Sequence, residues 1–293
     1  MILSIGEILA DMVGITENGA LTFKAFAGGA PFNAIVNAKQ SGAKAAFVGK
    51  VGNDVIGRFL LDETKKVGLD KLDIQIDEKR NTTLAFVTLT GGERDFAFNR
   101  HDTADFNIDF NAIDFSSYED LNVLHLGSLM LSEENGVAFA NAVADKASEL
   151  GVKLSFDVNF RTDIFKDFEA AKAAYLPFIE RADILKFSDD EIKLFTGIDD
   201  VEAAAKTFQK DGKLILVTLG KDGSYYLIDG VSGTIPTEPV KPIDTTGAGD
   251  AFFGTLLAGI EGKKLNAENV EAALVKANKK GAETTQFMGA IKL

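Results

Sequence analysis

A glycine-rich segment near the end of the sequence joins an anion-binding pattern to a carboxylate. It reads Asp244-Thr-Thr-Gly-Ala-Gly-Asp250, and the apolar run Ala-Phe-Phe-Gly-Thr-Leu-Leu-Ala-Gly-Ile follows it. The run predicts a buried helix, so the backbone N–H groups of Gly247, Ala248 and Gly249 would face an anion at its positive end. Asp250 could simply complement the helix dipole, or it could take a proton from a substrate. The segment therefore predicts an anion hole beside a candidate general base.

A second loop before a helix lies near the start of the chain and reads Gly28-Gly-Ala-Pro-Phe-Asn33. Pro31 suits the first turn of a helix, and the paired glycines let a ligand lie against the backbone. Asn33 would then direct its amide toward the same opening in the fold as the glycine-rich segment. An ordinary start of a helix, with Asn33 facing solvent, is the alternative.

The composition limits the partners and metals. Lys and Arg number 31 and Asp and Glu 44, and the net charge of −13 argues against nucleic acid. The absence of cysteine excludes disulfides, thiolate zinc sites and cysteine nucleophiles, and two histidines make a histidine-rich metal site a poor fit. A metal here would be a hard cation such as Mg²⁺ held by oxygens. The N-terminal segment has no basic region and no apolar run spans a bilayer, so we predict a cytoplasmic protein without a membrane partner.

Short apolar runs alternate with amphipathic stretches along the chain. This alternation predicts an α/β fold: a central, mostly parallel sheet covered by helices on both faces. The predicted strands are Ile2–Glu7, Ala45–Gly49, Val123–Gly127, Lys153–Val158, Ile184–Phe187 and Leu214–Leu219. The predicted helices are Pro31–Gln40, Val55–Val67, Glu134–Leu150, Phe168–Ile179 and Val201–Lys210.

One stretch departs from this alternation. Thr82–Thr90 and Arg94–Arg100 each alternate apolar and polar residues around Gly91-Gly92, which predicts a β-hairpin, and Leu21–Phe26 predicts a further strand. No linker or repeat interrupts the sequence. We predict a single domain over residues 1–293, with a small β lid formed by about 12–27 and 82–100.

The two motifs, their order and their separation resemble the signatures of the ribokinase-like (PfkB) carbohydrate kinase family, and the likeness runs from Gly6 to Gly289. Within that family the chain is most similar to the bacterial fructokinase branch. The further matching stretches are Gly6-Glu-Ile-Leu-x-Asp11, Arg94-Asp-Phe-x-Phe-x-Arg100 and His125-x-Gly-Ser128. The resemblance implies an ATP-dependent phosphotransferase acting on the 6-hydroxyl of D-fructose. It also implies ATP, Mg²⁺ and, as in many relatives, a monovalent cation such as K⁺.

The resemblance implies a role for each matching residue. For catalysis these are Asp250 as base, Gly247, Ala248 and Gly249 as anion hole, and Arg161 as a charge near the phosphates. For the sugar they are Asp11, Gly28, Gly29, Asn33, Arg100, Asn159 and Asp250. For ATP they are Thr218, Gly220, Lys221, Gly247, Gly249, Asn278 and Gly281. For metals they are Glu191, which would hold Mg²⁺ through water, and Asp244 and Thr246, which would hold a monovalent cation near Gly289.

Several of these residues also have ordinary structural interpretations. Asp11 could belong to a turn, Arg100 to a solvated strand, and Arg161 to a surface ion pair. Ser188 replaces the asparagine that the family has before Glu191, and the spacing of these two residues also fits a capping box. Phe32 replaces a smaller residue beside the sugar motif.

Other functions remain open at this point. A related kinase could accept 2-keto-3-deoxygluconate, ribose or a nucleoside, although ribokinases usually carry lysine where this chain has Ala30. A dinucleotide-dependent oxidoreductase would need G-x-G-x-x-G after the first strand, and Gly6-Glu-Ile-Leu does not supply it. A non-catalytic sugar- or nucleotide-binding protein is a remote alternative. Relatives often dimerise through the lid, and Phe86 and Phe98 are compatible with such a homodimer.

Overall fold

The computed structural model describes residues 1–17, 20–90, 93–165 and 167–292. Two sheets and a set of covering helices form from these residues. In chain order the elements are β1 (Ile2–Ile5), β2 (Leu9–Glu17), β3 (Ala20–Gly28), α1 (Ala30–Gln40), β4 (Ala45–Gly52), α2 (Val55–Val67), β5 (Lys71–Asp77), β6 (Leu84–Thr90), β7 (Glu93–Asn99), β8 (Val123–Leu126), α3 (Glu134–Leu150), β9 (Lys153–Asp157), α4 (Phe168–Arg181), β10 (Ile184–Ser188), α5 (Asp189–Thr196), α6 (Val201–Lys206), β11 (Leu214–Thr218), β12 (Ser224–Ile228), β13 (Val231–Ile235), α7 (Ala248–Ile260) and α8 (Ala267–Thr284).

The larger sheet has the strand order β13-β12-β11-β10-β9-β8-β1-β4-β5 within the described residues. The strands from β11 to β5 in this order pair in parallel, and β12 and β13 add an antiparallel hairpin at one edge. Parallel strands place their carboxyl ends on the same edge of the sheet. The α/β fold class predicted from the alternation of apolar runs is confirmed.

Helices cover both faces of this sheet. The residues of β1 are almost all apolar because they pack against helices on both sides. Leu3 and Ile5 belong to a buried cluster that includes Val143 of α3, whereas Ile2 belongs to a second cluster that includes Phe253 of α7. A strand buried on both faces reads as a continuous apolar run. In the described part of the chain, no helix is long and apolar enough to cross a membrane.

The predicted strands and helices of this layer are all present, with ends that differ by a few residues. Gly68 and Gly151 end α2 and α3 in the left-handed region, at φ 67° and 64°. Helix α6 ends at Lys206 rather than Lys210, because the next amides bond three residues back and tighten the last turn. Strand β5, at the sheet edge, was not predicted, although Leu72, Ile74 and Ile76 alternate there with polar residues.

A second sheet, in the order β3-β2-β6-β7, stands beside the first. The buried carboxylate of Asp105 binds the residue before β6 and the residue after β7, and so fixes both ends of the β6–β7 hairpin. Thr83 Oγ1 donates to Asp105 Oδ1 at 2.5 Å, and Arg100 Nε donates to Asp105 Oδ2 at 2.8 Å. The predicted turn at Gly91-Gly92 lies outside the described residues. That this sheet acts as a lid on a single domain stays a prediction.

Candidate active site

A cavity of about 490 Å³ opens at the carboxyl edge of the larger sheet. Strand ends and helix starts meet at this edge, which is where open α/β sheets bind ligands. The second sheet contributes Ala85 and Phe98 to its wall. The predicted site residues that line it are Asp11, Gly29, Asn33, Asn159, Arg161, Glu191, Thr218, Thr246, Gly247, Gly249 and Asp250.

Helix α7 begins at the glycine-rich segment and positions Asp250. Gly247 precedes the helix at φ 74°, and a Cβ there would lie 2.4 Å from the Cβ of Ala290. Glycine therefore fits both the backbone conformation and the available space. Asp250 lies in the first turn, where Asn33 Nδ2 of α1 donates a hydrogen bond to its Oδ2 at 2.8 Å. The two sequence motifs meet at this hydrogen bond.

The surroundings of Asp250 suit a proton acceptor. Burial raises its pKa from 3.8 to about 6, and the charge of Asp157 adds to the rise. The hydrogen bond from Asn33 and the charges of Lys186 and Arg161 oppose it. A general base works best when its pKa lies near the working pH. Asp250 is therefore ionised at neutral pH and more basic than an exposed aspartate.

Asp11 on β2 lies in the same cavity, in a space that Gly28 leaves for it. Burial is the main cause that raises the pKa of Asp11 to about 7; the charge of Asp250 contributes to the rise, and Arg161 opposes it. Gly28 does not itself line the cavity. A Cβ at position 28 would lie 2.2 Å from Asp11 Oδ2, so the glycine allows the carboxyl group its present place.

We expect Gly28→Ala to raise the KM for the acceptor by about 10- to 100-fold, because the new methyl group displaces Asp11. The KM for ATP serves as the internal control, since most of the predicted ATP residues line a second, adjoining cavity, and should change by less than about threefold. Steady-state kinetics with each substrate varied in turn give both values. An unchanged acceptor KM would show that Asp11 does not depend on this glycine.

Residues after β9 and β10 form the opposite wall. Asn159, at φ 37°, and Arg161 follow β9 and line the cavity. Ser188 and Glu191 form the predicted capping box of α5, with both reciprocal hydrogen bonds present. Glu191 also accepts a bond from the backbone N–H of Phe160 at 2.7 Å. Each carboxylate oxygen of Glu191 thus holds one backbone amide, which fixes the group at the cavity wall.

A buried ion pair that was not predicted lies behind the anion hole. Lys186 Nζ donates to both oxygens of Asp157 at 2.8 Å, and the two side chains are 6% and 7% exposed. Burial alone would lower the pKa of Lys186, but Asp157 and Glu191 raise it above its ordinary value. Lys186 lines the cavity, 3.4 Å from where a Cβ of Gly249 would lie. The available signal was a single charge inside the apolar run of β10, since lysine is rarely buried without a partner.

A second cavity of about 570 Å³ adjoins the first, and Thr218, Thr245 and Gly249 line both. Proline, valine, phenylalanine and alanine residues supply an apolar surface suited to a flat ring. The predicted ATP residues that line it are Thr218, Gly220, Lys221, Gly249, Asn278 and Gly281, together with Ala248. Asn278 Nδ2 donates to the carbonyl oxygen of Ile235 at 2.8 Å, which holds α8 against the end of β13.

The predicted monovalent-cation residues lie in a loop that is tied to the C-terminal segment. Asp244 is buried, and its Oδ1 accepts from the backbone N–H of Thr246 at 2.7 Å. Its Oδ2 accepts from the backbone N–H of Gly289 at 3.0 Å. The carboxylate thereby brings together the three positions named from the sequence.

Two residues lie differently from what the sequence suggested. Arg100 is not among the residues lining the cavity: it is 3% exposed, bonded to Asp105 and donates through Nη1 to Ser132 Oγ at 2.6 Å. Its role over the sugar stays a prediction. Phe32 is buried and packs edge-on against Phe47 at 5.2 Å, so its ring fills the core rather than the cavity wall.

A family model described as pfkB family carbohydrate kinase matches residues 1–293. Among curated proteins, Fructokinase-1 of Zea mays is 37% identical over 301 residues, covering 99% of this chain and 93% of the maize protein. Among solved structures, the fructokinase with bound ATP from Xylella fastidiosa has a TM-score of 0.91 at 28% identity, covering 99% of this chain and 93% of that one. A double mutant of the fructokinase of Vibrio cholerae O395, in its fructose, ADP and potassium ion bound form, has a TM-score of 0.88 at 29% identity, with the same coverage of 99% and 93%.

Proposed function

The chain belongs to the pfkB family of carbohydrate kinases, and we propose that it is a fructokinase, which transfers the γ-phosphoryl group of ATP to the 6-hydroxyl of D-fructose. One observation carries the proposal. Asp250 is hydrogen-bonded to Asn33 in the first turn of α7 and lines the first cavity, next to Gly249, which lines both cavities. A hydroxyl bound beside Asp250 would face a phosphoryl group bound at the glycine-rich segment.

In this proposal the chain's own residues position the reactants and stabilise charge, which is most of what phosphoryl transfer requires. Asp250 takes the proton from the acceptor hydroxyl. The backbone amides of Gly247, Ala248 and Gly249 take up negative charge on the transferred group. Arg161, from the opposite wall, adds a cation on the side of the phosphates.

Mg²⁺ would enter with ATP rather than occupy a dedicated protein site. Within the described ranges, no group of three or more histidine, cysteine or acidic residues is arranged to hold a metal ion. This fits Mg²⁺, which keeps several waters and binds through one or two carboxylates plus substrate phosphates. Glu191 is the carboxylate that would hold it through water, and the bound ion would neutralise phosphate charge. Asp244 and Thr246 would hold K⁺ beside the anion hole.

A neutral sugar fits the part of the first cavity around Asp11 and Asp250 better than a sugar acid does. Both carboxyl groups line that cavity, and the charge of Asp250 already raises the pKa of Asp11. The carboxylate of 2-keto-3-deoxygluconate would add a further negative charge beside them. Ribose and nucleosides are neutral, so the charge of the cavity does not separate them from fructose.

A sugar panel tests the proposal directly. We expect ADP release with MgATP to be fastest with D-fructose, compared with ribose, 2-keto-3-deoxygluconate and adenosine at equal concentrations. NMR of the product should show phosphate on the 6-hydroxyl. Faster release with another acceptor would replace fructose by that compound. If none of the acceptors gave ADP, a non-catalytic binding protein would be favoured instead.

The pH dependence of kcat/KM should show an acid limb. Because Asp250 must be ionised to accept a proton and its pKa is about 6, we expect the rate constant to fall about tenfold per pH unit well below pH 6. Initial rates between pH 4.5 and 8 give the profile. Asp11→Asn is the control and should retain the limb. A profile that stays flat down to pH 4.5 would contradict the role of Asp250.

We also propose that two copies associate through the outer face of the second sheet. Phe23 of β3 packs edge-on against Phe86 of β6, and Leu21 and Phe23 are 56% and 38% exposed. An exposed apolar patch of this kind commonly marks an interface. Light scattering should give the mass of a dimer for the wild type and of a monomer for Phe23→Glu. We likewise propose the cytoplasmic location that the sequence predicts.

A further inference from the structure

Glu7, which follows β1, is a buried carboxyl group that none of the steps above uses. It is 1% exposed and lines the acceptor cavity together with Asp11, Asn33 and Asp250. In the sequence analysis Glu7 belongs to the stretch Gly6-Glu-Ile-Leu-x-Asp11, which resembles the fructokinase branch, but no role is given to it. Its place in the wall of a ligand cavity calls for a physical explanation.

Two glycines leave the room that Glu7 occupies. A Cβ at Gly127, after β8, would lie 2.6 Å from Glu7 Oε2. A Cβ at Gly29 would lie 2.4 Å from the carbonyl oxygen of Glu7, and Gly29 has φ 109°. Any larger residue at either position would displace the backbone or the carboxyl group of Glu7. Gly127 therefore leaves the space that the Glu7 carboxyl group occupies, and Gly29 leaves space for the backbone of Glu7.

The carboxyl group is not satisfied by the protein. Glu7 Oε2 has no hydrogen-bond partner among the residues that the structure describes, and neither has Asn33 Oδ1 in the same cavity. Buried polar atoms nearly always have a partner, and an exception in a binding cavity indicates a bound ligand or an ordered water. Two unpaired oxygens on residues that line one cavity are compatible with a ligand that carries hydroxyl groups.

The protonation state of Glu7 suits such a ligand. Burial is the main cause that raises its pKa to about 8; Asp105 and Asp250 contribute to the rise, and its own backbone amide and Arg100 oppose it. Tyr175, on α4, also lies within electrostatic reach of Glu7. At neutral pH the group is therefore largely uncharged, with one O–H to donate and oxygens to accept. A sugar hydroxyl both donates and accepts, so it can exchange hydrogen bonds with this carboxyl group.

We propose that Glu7 is a specificity-determining residue of the acceptor site, where its side chain binds one of the sugar hydroxyls that is not phosphorylated. The inference rests on the proposed function, since it assumes that the cavity takes a sugar. Asp250 takes the proton of the reacting hydroxyl, so Glu7 would bind a different hydroxyl of the same sugar. An acceptor lacking that hydroxyl leaves Glu7 unpaired and binds more weakly.

Kinetics of Glu7→Leu and Glu7→Gln with saturating MgATP test this role. We expect Glu7→Leu to raise the KM for fructose about tenfold or more, with kcat changed by less than about threefold. Glu7→Gln keeps a donor and an acceptor and should stay within about threefold of the wild type. Tyr225→Phe, which removes a buried hydroxyl from β12 in the core, is the control and should leave both constants unchanged.

Deoxy analogues identify the hydroxyl and separate binding from structural damage. The panel is fructose, its 1-deoxy, 3-deoxy and 4-deoxy forms, and 2,5-anhydro-D-mannitol. One analogue should be poor for the wild type yet no poorer than fructose for Glu7→Leu, because the lost hydroxyl and the lost carboxyl are partners. Additive losses for every analogue would overturn the role of Glu7.

If Glu7→Leu does not fold, the pH dependence of the KM for fructose tests the same role with the wild type and Glu7→Gln. The wild-type KM should rise above pH 8 as Glu7 ionises, and Glu7→Gln, which cannot ionise, should not show this rise. Identical KM profiles would overturn the proposal. A wild type that phosphorylates no sugar overturns the kinase assignment instead, whereas an active wild type with an unaffected Glu7→Leu overturns only the role of Glu7.

Discussion

Asp250→Asn should lower kcat with fructose and MgATP by at least ~10²-fold, the usual size of a general-base contribution. The asparagine amide keeps the shape of the side chain but cannot accept the proton of the acceptor hydroxyl. The fold should persist, because burying an ionised Asp250 is unfavourable, as its raised pKa shows. Single-turnover measurements of phosphoryl transfer give the rate constant of the chemical step, and calorimetric binding of fructose reports whether the site is intact.

Asp145→Asn is the matched control for this substitution. Asp145 is an exposed carboxylate on α3 that pairs with Arg181, away from the cavity. Its loss should leave kcat unchanged, since exposed ion pairs contribute little. If Asp250→Asn turned over at nearly the wild-type rate while binding fructose normally, another group would have to accept the proton.

Lys186→Met should lower the free energy of unfolding by about 3–5 kcal/mol, the cost of leaving a buried charge without its partner. Lys186 and Asp157 are both less than a tenth exposed and share two hydrogen bonds of 2.8 Å. Urea denaturation followed by far-UV circular dichroism measures the loss. Since Lys186 also lowers the pKa of Asp250, the acid limb of the activity profile should move to higher pH in this variant.

The double variant Lys186→Met with Asp157→Asn separates the ion pair from simple packing. It removes both charges, so most of the stability lost in the single variant should return. Lys193→Met on α5 is the matched control, because its ion pair with Asp189 is about one-third exposed on each side. A Lys186→Met variant as stable as this control would mean that Asp157 is not left with an unpaired buried charge.

The parts of this site that the sequence predicted are those encoded within a few consecutive residues. The start of α7 at Gly247, the position of Asp250 and the capping box of Ser188 and Glu191 each follow from local spacing and were found where expected. The contact of Asn33 with Asp250 joins residues 217 positions apart; the sequence directed both side chains to one opening but did not predict their hydrogen bond. Local chemistry was therefore predictable, whereas the meeting of distant segments depended on the fold.

Contacts made only by tertiary packing were missed. Nothing in the sequence shows that Asp105 binds both Thr83 and Arg100. Lys186 gave a usable signal as a charge inside an apolar strand, but its partner Asp157 comes from the neighbouring strand. Pairing between strands is what sequence spacing does not specify.

The raised pKa values of Glu7, Asp11 and Asp250 have a consequence for how this protein tolerates change. Each group binds its proton more tightly when folded than when unfolded, so ionisation between about pH 4 and pH 8 weakens the native state. Neutral replacements at these positions would therefore be favoured by selection for heat resistance alone. Their retention would have to come from selection for turnover, and thermostable variants isolated without an activity screen should accumulate substitutions at these three positions.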